Sequence, residues 1–143
     1  MKAGSGGLVV DCSVAVAWCF EDETSPETDA VLERVRDEGA LVPALWHLEL
    51  GNVLVQAERR NRLTAADTAT RLDLIAALPI LTDGETPERG LREVVALARA
   101  EGLTTYDAAY LELAMRKGLP LASKDRALAA AADRAGIANL IAV

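Results

Sequence analysis

Short apolar runs alternate along the chain with longer segments in which apolar residues recur at helical spacing. Five of the short runs predict buried strands: GLVVD (strand at about residues 8–10), ALVP (40–43), PILT (79–82), LPLAS (119–123) and a last one in IANLIAV (137–143). Apolar strands separated by helices are typical of a parallel sheet that is covered on both faces. The pattern therefore predicts an α/β fold class, a single-domain α/β/α sandwich with a central, mostly parallel sheet.

Capping residues mark the ends of the predicted helices. Seven helices are predicted: SVAVAWCF capped by Ser13, SPETDAVLERVRDEG from Ser25 to Gly39, ALWHLELGNVLVQAERRNRL, TAADTATRLDLIAAL from Thr64, TPERGLREVVALARAEG from Thr86 to Gly102, TTYDAAYLELAMRKG ending at Gly118, and KDRALAAAADRAG. No linker is long enough to divide them. Residues 8–143 are therefore predicted to form one domain, preceded by a flexible lead-in at residues 1–7, which contains GSGG.

The composition is that of an ordinary globular protein, with 51% hydrophobic and 26% charged residues among 143. The two cysteines, Cys12 and Cys19, are not in CxxC spacing. Their small number favours a reducing, cytoplasmic compartment over a disulfide-rich one. The apolar run at 8–20 is interrupted by Asp11 and is too short to span a bilayer, so no membrane association is predicted.

The chain is acidic, with a formal net charge of −7 and an isoelectric point near 4.7. A protein that coats nucleic acid without specificity would carry a basic face, so this class is disfavoured. An enzyme in which bound cations supply the positive charge is not excluded by the same numbers. The few aromatic residues also leave little material for a surface that stacks bases.

Two acids follow predicted strands directly. Asp11 comes after the first strand and Asp125 lies just past the fourth. Ligands of open parallel sheets bind outside the carboxyl ends of the strands, which is where both side chains should project. Each residue also precedes or opens a helix, so N-capping is an equally good explanation for either one alone.

Two further acids lie within predicted helices. Asp107 heads an apolar stripe formed by Tyr110, Leu111 and Ala114, which places it toward the sheet, although TTYD also reads as a capping box opened by Thr104. Glu112 lies further round the helix and is expected in solvent.

Glu49 begins a polar strip that continues at Asn52 and Gln56 on an otherwise apolar helix. This strip is either the exposed face of an amphipathic helix or a polar edge at the top of the sheet.

Taken together, the four acids predict a site for a hard divalent cation. Carboxylates that crowd one cleft repel each other, and a cation removes that penalty. Oxygen ligands suit Mg²⁺ or Mn²⁺, whereas a single histidine, His47, cannot build a multi-histidine zinc site. Such a cation can activate water and neutralise charge on a phosphodiester, so no protein nucleophile is needed.

Four segments resemble the motif blocks of PIN-domain ribonucleases, specifically of VapC-type toxins from bacterial toxin–antitoxin pairs: VVDCSVAVAW, LWHLELGNVL, LTTYDAAYLELA and LPLASKDRAL. They span nearly the whole chain in the family's order, and TTYDAAYLELA is the most specific of them. The resemblance implies a PIN-like fold and metal-dependent endonucleolytic cleavage of RNA, with Mg²⁺ or Mn²⁺ as cofactor. It also implies a cognate antitoxin partner and a homodimer.

The resemblance can be carried over by position. The residues it implies to be catalytic and metal-binding are Asp11, Glu49, Asp107 and Asp125. The polar residues it implies to support them are Ser13, Asn52, Thr104 and Ser123. Ser123 stands where the family often has threonine, and the hydroxyl is retained.

The acidic isoelectric point leaves RNA affinity to local basic groups. The candidates are Arg59, Arg60, Arg62, Arg116, Lys117, Lys124 and Arg126. The alternative for all of them is a solvated surface with flexible side chains.

Two other functions stay open. A PIN-like module could bind without catalysing, although all four acids are present. A phosphoacceptor signalling domain shares the parallel sheet and acidic pocket, but its only candidate acceptor here is Asp83, and Asp11 is followed by Cys12 and Ser13 rather than a second acid. A haloacid-type phosphatase is weaker still, because its Asp-x-Asp pair is missing.

Overall fold

The structure is a computed structural model that describes residues 6–143. Its centre is a four-stranded sheet in the order β3-β2-β1-β4, in which all strand pairings are parallel. The strands are β1 (Val9–Val10), β2 (Ala40–Val42), β3 (Ile80–Thr82) and β4 (Leu121–Ala122). The predicted α/β sandwich with a central parallel sheet is confirmed.

Eight α-helical segments surround the sheet in the described chain. They are α1 (Cys12–Cys19), α2 (Pro26–Glu38), α3 (Leu45–Arg59), α4 (Ala65–Ala76), α5 (Thr86–Arg89), α6 (Val95–Glu101), α7 (Thr105–Lys117) and α8 (Arg126–Arg134). A 3₁₀ turn (Glu21–Glu23) follows α1, and a π-helical turn (Gly90–Val94) joins α5 to α6. Helix α1 packs on α2 and α3, whereas α7 contacts α6, α8, β1 and β4.

Local capping rules account for many of the helix ends. Ser25 and Thr64 cap α2 and α4 with reciprocal side-chain bonds, as predicted. Gly102 and Gly118 end their helices in left-handed conformation, at φ 67° and 64°.

Two predicted caps are wrong. Helix α1 begins after Asp11 rather than Ser13, and α5 begins after Glu85 rather than Thr86. In both places the predicted capping hydroxyl is bound to a neighbouring carboxylate instead: Ser13 to Asp11 and Thr86 to Asp83.

The predicted last strand is not formed. Only one bridge, between Leu121 and Asn139, continues the sheet beyond β4. The side-chain amide of Asn139 takes over the next positions: its Oδ1 accepts from the Ser123 N–H at 3.0 Å and its Nδ2 donates to the Ser123 carbonyl at 3.1 Å. These are the backbone groups that a further strand residue would have paired with, so the ladder stops.

Gly6 and Gly7 belong to the packed structure, while residues 1–5 of the predicted lead-in lie outside the described residues. The N–H of Gly7 donates to the Gly39 carbonyl at 2.9 Å. A Cβ on Gly7 would lie 2.6 Å from the Glu38 carboxylate, and one on Gly6 would lie 2.8 Å from the Leu41 side chain. Both positions therefore admit only glycine without rearrangement.

Helix α7 contains seven consecutive buried residues, from Ala108 to Ala114. A helix that is covered almost all round must pair any charge it carries. Glu112, expected in solvent, is one of the buried seven and binds Arg116 and Arg89. That expectation was wrong because the apolar stripe was read as one face of a helix that has several covered faces.

Candidate active site

Asp11 lies at the switch point of the sheet. The chain crosses from β1 to β2 and β3 on one side, and β4 lies on the other side of β1. Ligands of open α/β sheets bind at the carboxyl ends of the strands beside such a point. Val10 pairs with Ala122, so the next residues, Asp11 and Ser123, lie side by side.

Two hydroxyl groups hold the Asp11 carboxylate. The Ser123 hydroxyl donates to its Oδ2 at 2.6 Å, and the Ser13 hydroxyl donates to the same oxygen at 2.9 Å. The Ser13 hydroxyl in turn accepts the Lys124 N–H at 2.9 Å, which ties the turn after β1 to the turn after β4. Asp11 occupies the N-cap position of α1, but its side chain makes no capping hydrogen bond.

Burial raises the pKa of Asp11, and the charge of Asp125 raises it further. The hydrogen bonds from the two serine hydroxyls oppose this rise. A carboxylate with only 5% exposure is costly to ionise unless a positive charge approaches it. Burial therefore makes the ionised form of Asp11 costly in the absence of a nearby positive charge.

Glu49 projects from the first turns of α3 and is half-buried. The hydroxyl of Tyr110, a fully buried residue of α7, donates to its Oε1. Burial raises the pKa of Glu49, the Tyr110 hydrogen bond opposes this, and the charges of Asp11 and Asp107 raise it further. Glu49 thus faces the other acids and is not part of an exposed polar face.

Asp107 is the third residue of α7 and is not part of a capping box. The Thr104 hydroxyl accepts the Asp107 N–H at 3.1 Å, so Thr104 caps the helix. The Asp107 carboxylate does not accept the Thr104 N–H in return, whereas the corresponding side chains of α2 and α4, Thr28 and Asp67, do accept the N–H of their caps. Burial raises the pKa of Asp107, the charges of Asp125 and Asp11 add to that rise, and the Thr104 side chain opposes it. The Asp107 carboxylate therefore lies close enough to the other acids for their charges to act on it.

Asp125 does act as a helix cap. Its Oδ1 accepts the N–H groups of Ala127 and Leu128 at 2.8 and 3.1 Å, and its own N–H donates to the Ser123 hydroxyl at 3.0 Å. The capping explanation left open for this residue is thus structurally correct. Its charge nevertheless reaches the cleft, because it raises the pKa of both Asp11 and Asp107.

The four predicted acids therefore lie near enough at the carboxyl edge of the sheet for their charges to act on one another. Their donors are hard carboxylate oxygens, and their mutual repulsion is the kind that Mg²⁺ or Mn²⁺ relieves. Within residues 6–143, however, no three Asp, Glu, His or Cys side chains are grouped closely enough to hold one ion as they stand. The four carboxylates fit a hard divalent cation in the chemistry and charge of their oxygens.

The predicted basic residues lie in different surroundings. Arg59 and Arg60 are exposed at the end of α3, as are Lys117, Lys124 and Arg126 elsewhere. Arg62 pairs with Asp22 and Glu23 and stacks over the Phe20 ring at 4.2 Å.

Arg116 is the least exposed of the predicted basic residues. It is nearly buried, and its guanidinium is held by Asp83, Glu85 and Glu112. These ion pairs occupy the guanidinium group, which argues against the predicted role of Arg116 in RNA binding.

Asn52 lies three residues past Glu49 and is exposed. It lines a groove of about 210 Å³ along α3 together with Gln56, Arg60 and Arg62. This groove runs from Asn52, one turn after Glu49, to the basic end of the same helix.

Two contributors to the site region, Tyr110 and Asn139, were missed by sequence reasoning. Tyr110 was assigned only to the core, yet its hydroxyl holds Glu49. Asn139, in the predicted last strand, instead fixes the backbone of Ser123. Asp83, the candidate phosphoacceptor, follows the edge strand β3 and forms an ion pair with Arg116. This ion pair argues against a phosphoacceptor role. The spacing of four residues between Glu112 and Arg116 is visible in the sequence, but no spacing signalled the Tyr110–Glu49, Asn139–Ser123 or Asp83–Arg116 contact.

Comparison with known proteins gives concordant matches. A family model described as PIN domain matches residues 8–134. The chain is 31% identical over 126 residues to Ribonuclease VapC3 of Pyrobaculum aerophilum, and the alignment covers 85% of this chain and 92% of that protein. The crystal structure of PAE2754 from Pyrobaculum aerophilum superimposes with a TM-score of 0.71 and 26% identity, covering 94% of this chain and 91% of that one.

The matched region contains the switch-point edge of the sheet and all four of its acids. Among the described residues, no helix combines the length and apolar character needed to cross a bilayer. Fold, edge chemistry and sequence identity agree, and the chain belongs to the PIN-domain family as a VapC-type member.

Proposed function

We propose that this protein is a Mg²⁺- or Mn²⁺-dependent endoribonuclease that acts as the toxin of a type II toxin–antitoxin pair. The observation that carries the proposal is the nearly buried Asp11 carboxylate at the switch point of the sheet, which Ser13 and Ser123 hold. Glu49, Asp107 and Asp125 are near enough for the charges of these acids to act on one another. The name of the relative Ribonuclease VapC3 supports RNA as the substrate and an antitoxin as the partner. The buried free thiols Cys12 and Cys19 are in keeping with a cytoplasmic location.

In the proposed mechanism, the carboxylates of Asp11, Glu49 and Asp107 would hold the cation, and Asp125 would contribute negative charge from the start of α8. A bound divalent ion supplies charge neutralisation on the phosphodiester and lowers the pKa of the attacking water. Ser13 and Ser123 orient Asp11 through its Oδ2, so that this carboxylate is fixed before substrate arrives. Burial of Asp11 keeps bulk water away from its charge and strengthens its interaction with a cation.

Protein partners are also part of the proposal. Large apolar side chains remain exposed, among them Leu48, Leu74 and Leu91, the last with 88% exposure. Exposed apolar residues of this kind suit contact with another chain. We propose an antitoxin and a second copy of this chain as the occupants of these surfaces.

The proposal is tested by incubating the protein with total RNA in Mg²⁺ or Mn²⁺, and in parallel in EDTA, followed by mapping of new RNA ends. We expect discrete cleavage sites with either metal and none with EDTA, since the carboxylates alone cannot activate water. Cleavage that persists in EDTA would contradict metal dependence. Binding of RNA and Mn²⁺ without any cleavage would instead identify a non-catalytic PIN-like module.

Neutralising the basic end of α3 should weaken RNA binding. We expect the double variant Arg59→Gln/Arg60→Gln to lower affinity and to reduce the slope of log K against log salt by about 0.7 for each lost phosphate contact. Affinity is measured by fluorescence anisotropy over a salt series. The matched control is Arg92→Gln/Arg99→Gln, which removes two exposed arginines from another part of the surface. Equal slopes for both double variants would exclude Arg59 and Arg60 from the RNA-binding surface.

A further inference from the structure

The contact between Tyr110 and Glu49 joins helices α7 and α3 through two residues that are 61 positions apart in sequence. Tyr110 lies in the enclosed stretch of α7 and has no exposed surface. Its hydroxyl donates to Oε1 of Glu49 on α3. A buried ring with no freedom to move carries its hydroxyl as a fixed donor, so the position of this hydroxyl is set by the core.

Packing alone does not explain a hydroxyl at this position. Tyr110 belongs to the main cluster of buried apolar residues that forms the core. A phenylalanine ring would fill the same space, and a buried hydroxyl is costly unless it is paired. The hydroxyl therefore contributes through its single partner, the carboxylate of Glu49.

The hydrogen bond restricts a side chain that is otherwise flexible. Glutamate has three rotatable side-chain bonds, and ordering them opposes any interaction that needs one geometry. Within residues 6–143, the only hydrogen bond that reaches the Glu49 carboxylate is the one to Oε1. The second oxygen, Oε2, is left for the cleft, where the charges of Asp11 and Asp107 are felt.

We propose that Tyr110 is a positioning residue for cation binding: its buried hydroxyl fixes the Glu49 carboxylate so that one oxygen faces the acidic edge. This inference rests on the proposed function, because it assumes that Glu49 is a ligand of the cation. Cation binding would require the acidic side chains to be ordered, and Tyr110 reduces that cost by fixing Glu49 in advance. Groups that hydrogen-bond the ligands of a metal commonly contribute about 10–100-fold to its affinity.

The test is Mn²⁺ binding by isothermal titration calorimetry to the wild type, Tyr110→Phe, Glu49→Gln and the double variant. We expect Tyr110→Phe to bind Mn²⁺ about 10–100-fold more weakly than the wild type. In the Glu49→Gln background the same substitution should have no further effect, because the group it positions is gone. A purely structural role for Tyr110 would weaken binding equally in both backgrounds.

The control is Tyr106→Phe, which removes a hydroxyl from the same helix at a residue that is 63% exposed. It should bind Mn²⁺ like the wild type. Urea unfolding of each variant in EDTA establishes that the fold is retained.

The outcomes separate the two proposals. If the wild type binds no Mn²⁺, the proposed metal dependence is wrong. If the wild type binds and Tyr110→Phe binds equally well, the role of Tyr110 is wrong while the proposed function stands.

Discussion

Replacing Asp107 by asparagine is expected to lower the rate of RNA cleavage by about 1,000-fold or more, which corresponds to ~4 kcal/mol of activation free energy. The amide keeps the shape of the side chain but removes the negative charge that would hold a cation. The fold should survive, because the helix cap of Thr104 uses the backbone N–H of Asp107 and not its carboxylate. Single-turnover cleavage of an RNA substrate at saturating Mn²⁺ measures the loss.

The same variant should not lose stability. Burial and the charges of Asp125 and Asp11 raise the pKa of Asp107 above its ordinary value of 3.8. A carboxyl with a raised pKa makes the folded state less stable as the pH rises through that pKa, so its ionised form at neutral pH opposes folding. In EDTA, the free energy of unfolding of Asp107→Asn should therefore equal or exceed that of the wild type.

Asp73→Asn is the matched control, because Asp73 is an exposed acid on α4. It should cleave RNA at the wild-type rate. A loss of less than about tenfold for Asp107→Asn, or ~1.4 kcal/mol, would exclude its carboxylate from a direct role in the reaction.

Local features of the fold were predictable because they depend on neighbouring residues. Ser25 and Thr64 cap their helices through a residue three positions later, and that spacing is visible in the sequence. The short apolar runs located β1 to β4 for the same reason. The prediction of a last strand was wrong because a long-range contact overrides the apolar pattern of that segment. The Asn139 side chain binds both backbone groups of Ser123.

The edge of the sheet that carries the acids was predictable in outline only. An acid after a strand indicates its carboxyl end, so the placement of Asp11 followed from the fold class. The contacts that hold the site depend on register between distant segments. Ser123 meets Asp11 across 112 residues and Tyr110 meets Glu49 across 61, and no spacing rule reveals either pair.

Arg116 presents the opposite case, in which a residue assigned to the surface is central to stability. Its guanidinium donates to Asp83 at 2.8 Å, to Glu85 at 3.0 Å and to Glu112 at 3.0 Å. The Asp83 and Glu112 side chains are only 5% and 11% exposed. These bonds connect the turn after β3 to the last part of α7, so the helix that carries Asp107 and Tyr110 is fixed at its other end by this group.

Replacing Arg116 by methionine is expected to lower the free energy of unfolding by about 3–5 kcal/mol near neutral pH. Methionine retains an apolar stem of similar length but leaves the nearly buried Asp83 and Glu112 without their main partner. Urea unfolding measures the loss. Adding Asp83→Asn and Glu112→Gln to the variant should recover part of it, because these changes remove the unpaired charges.

The loss caused by Arg116→Met should shrink as the pH is lowered. Burial alone would raise the pKa of Asp83, but hydrogen bonds and charge from Arg116 outweigh it and hold that pKa below 3.8. A lowered pKa stabilises the fold above the ordinary value, and this contribution is lost as the pH falls through the folded-state pKa. In the variant, Asp83 takes up a proton at higher pH, so the two stability curves should converge toward pH ~4 and below. Arg99→Met, at an exposed site, should stay within about 0.5 kcal/mol of the wild type at every pH. A gap between wild type and Arg116→Met that does not change with pH would show that Asp83 is not the partner responsible.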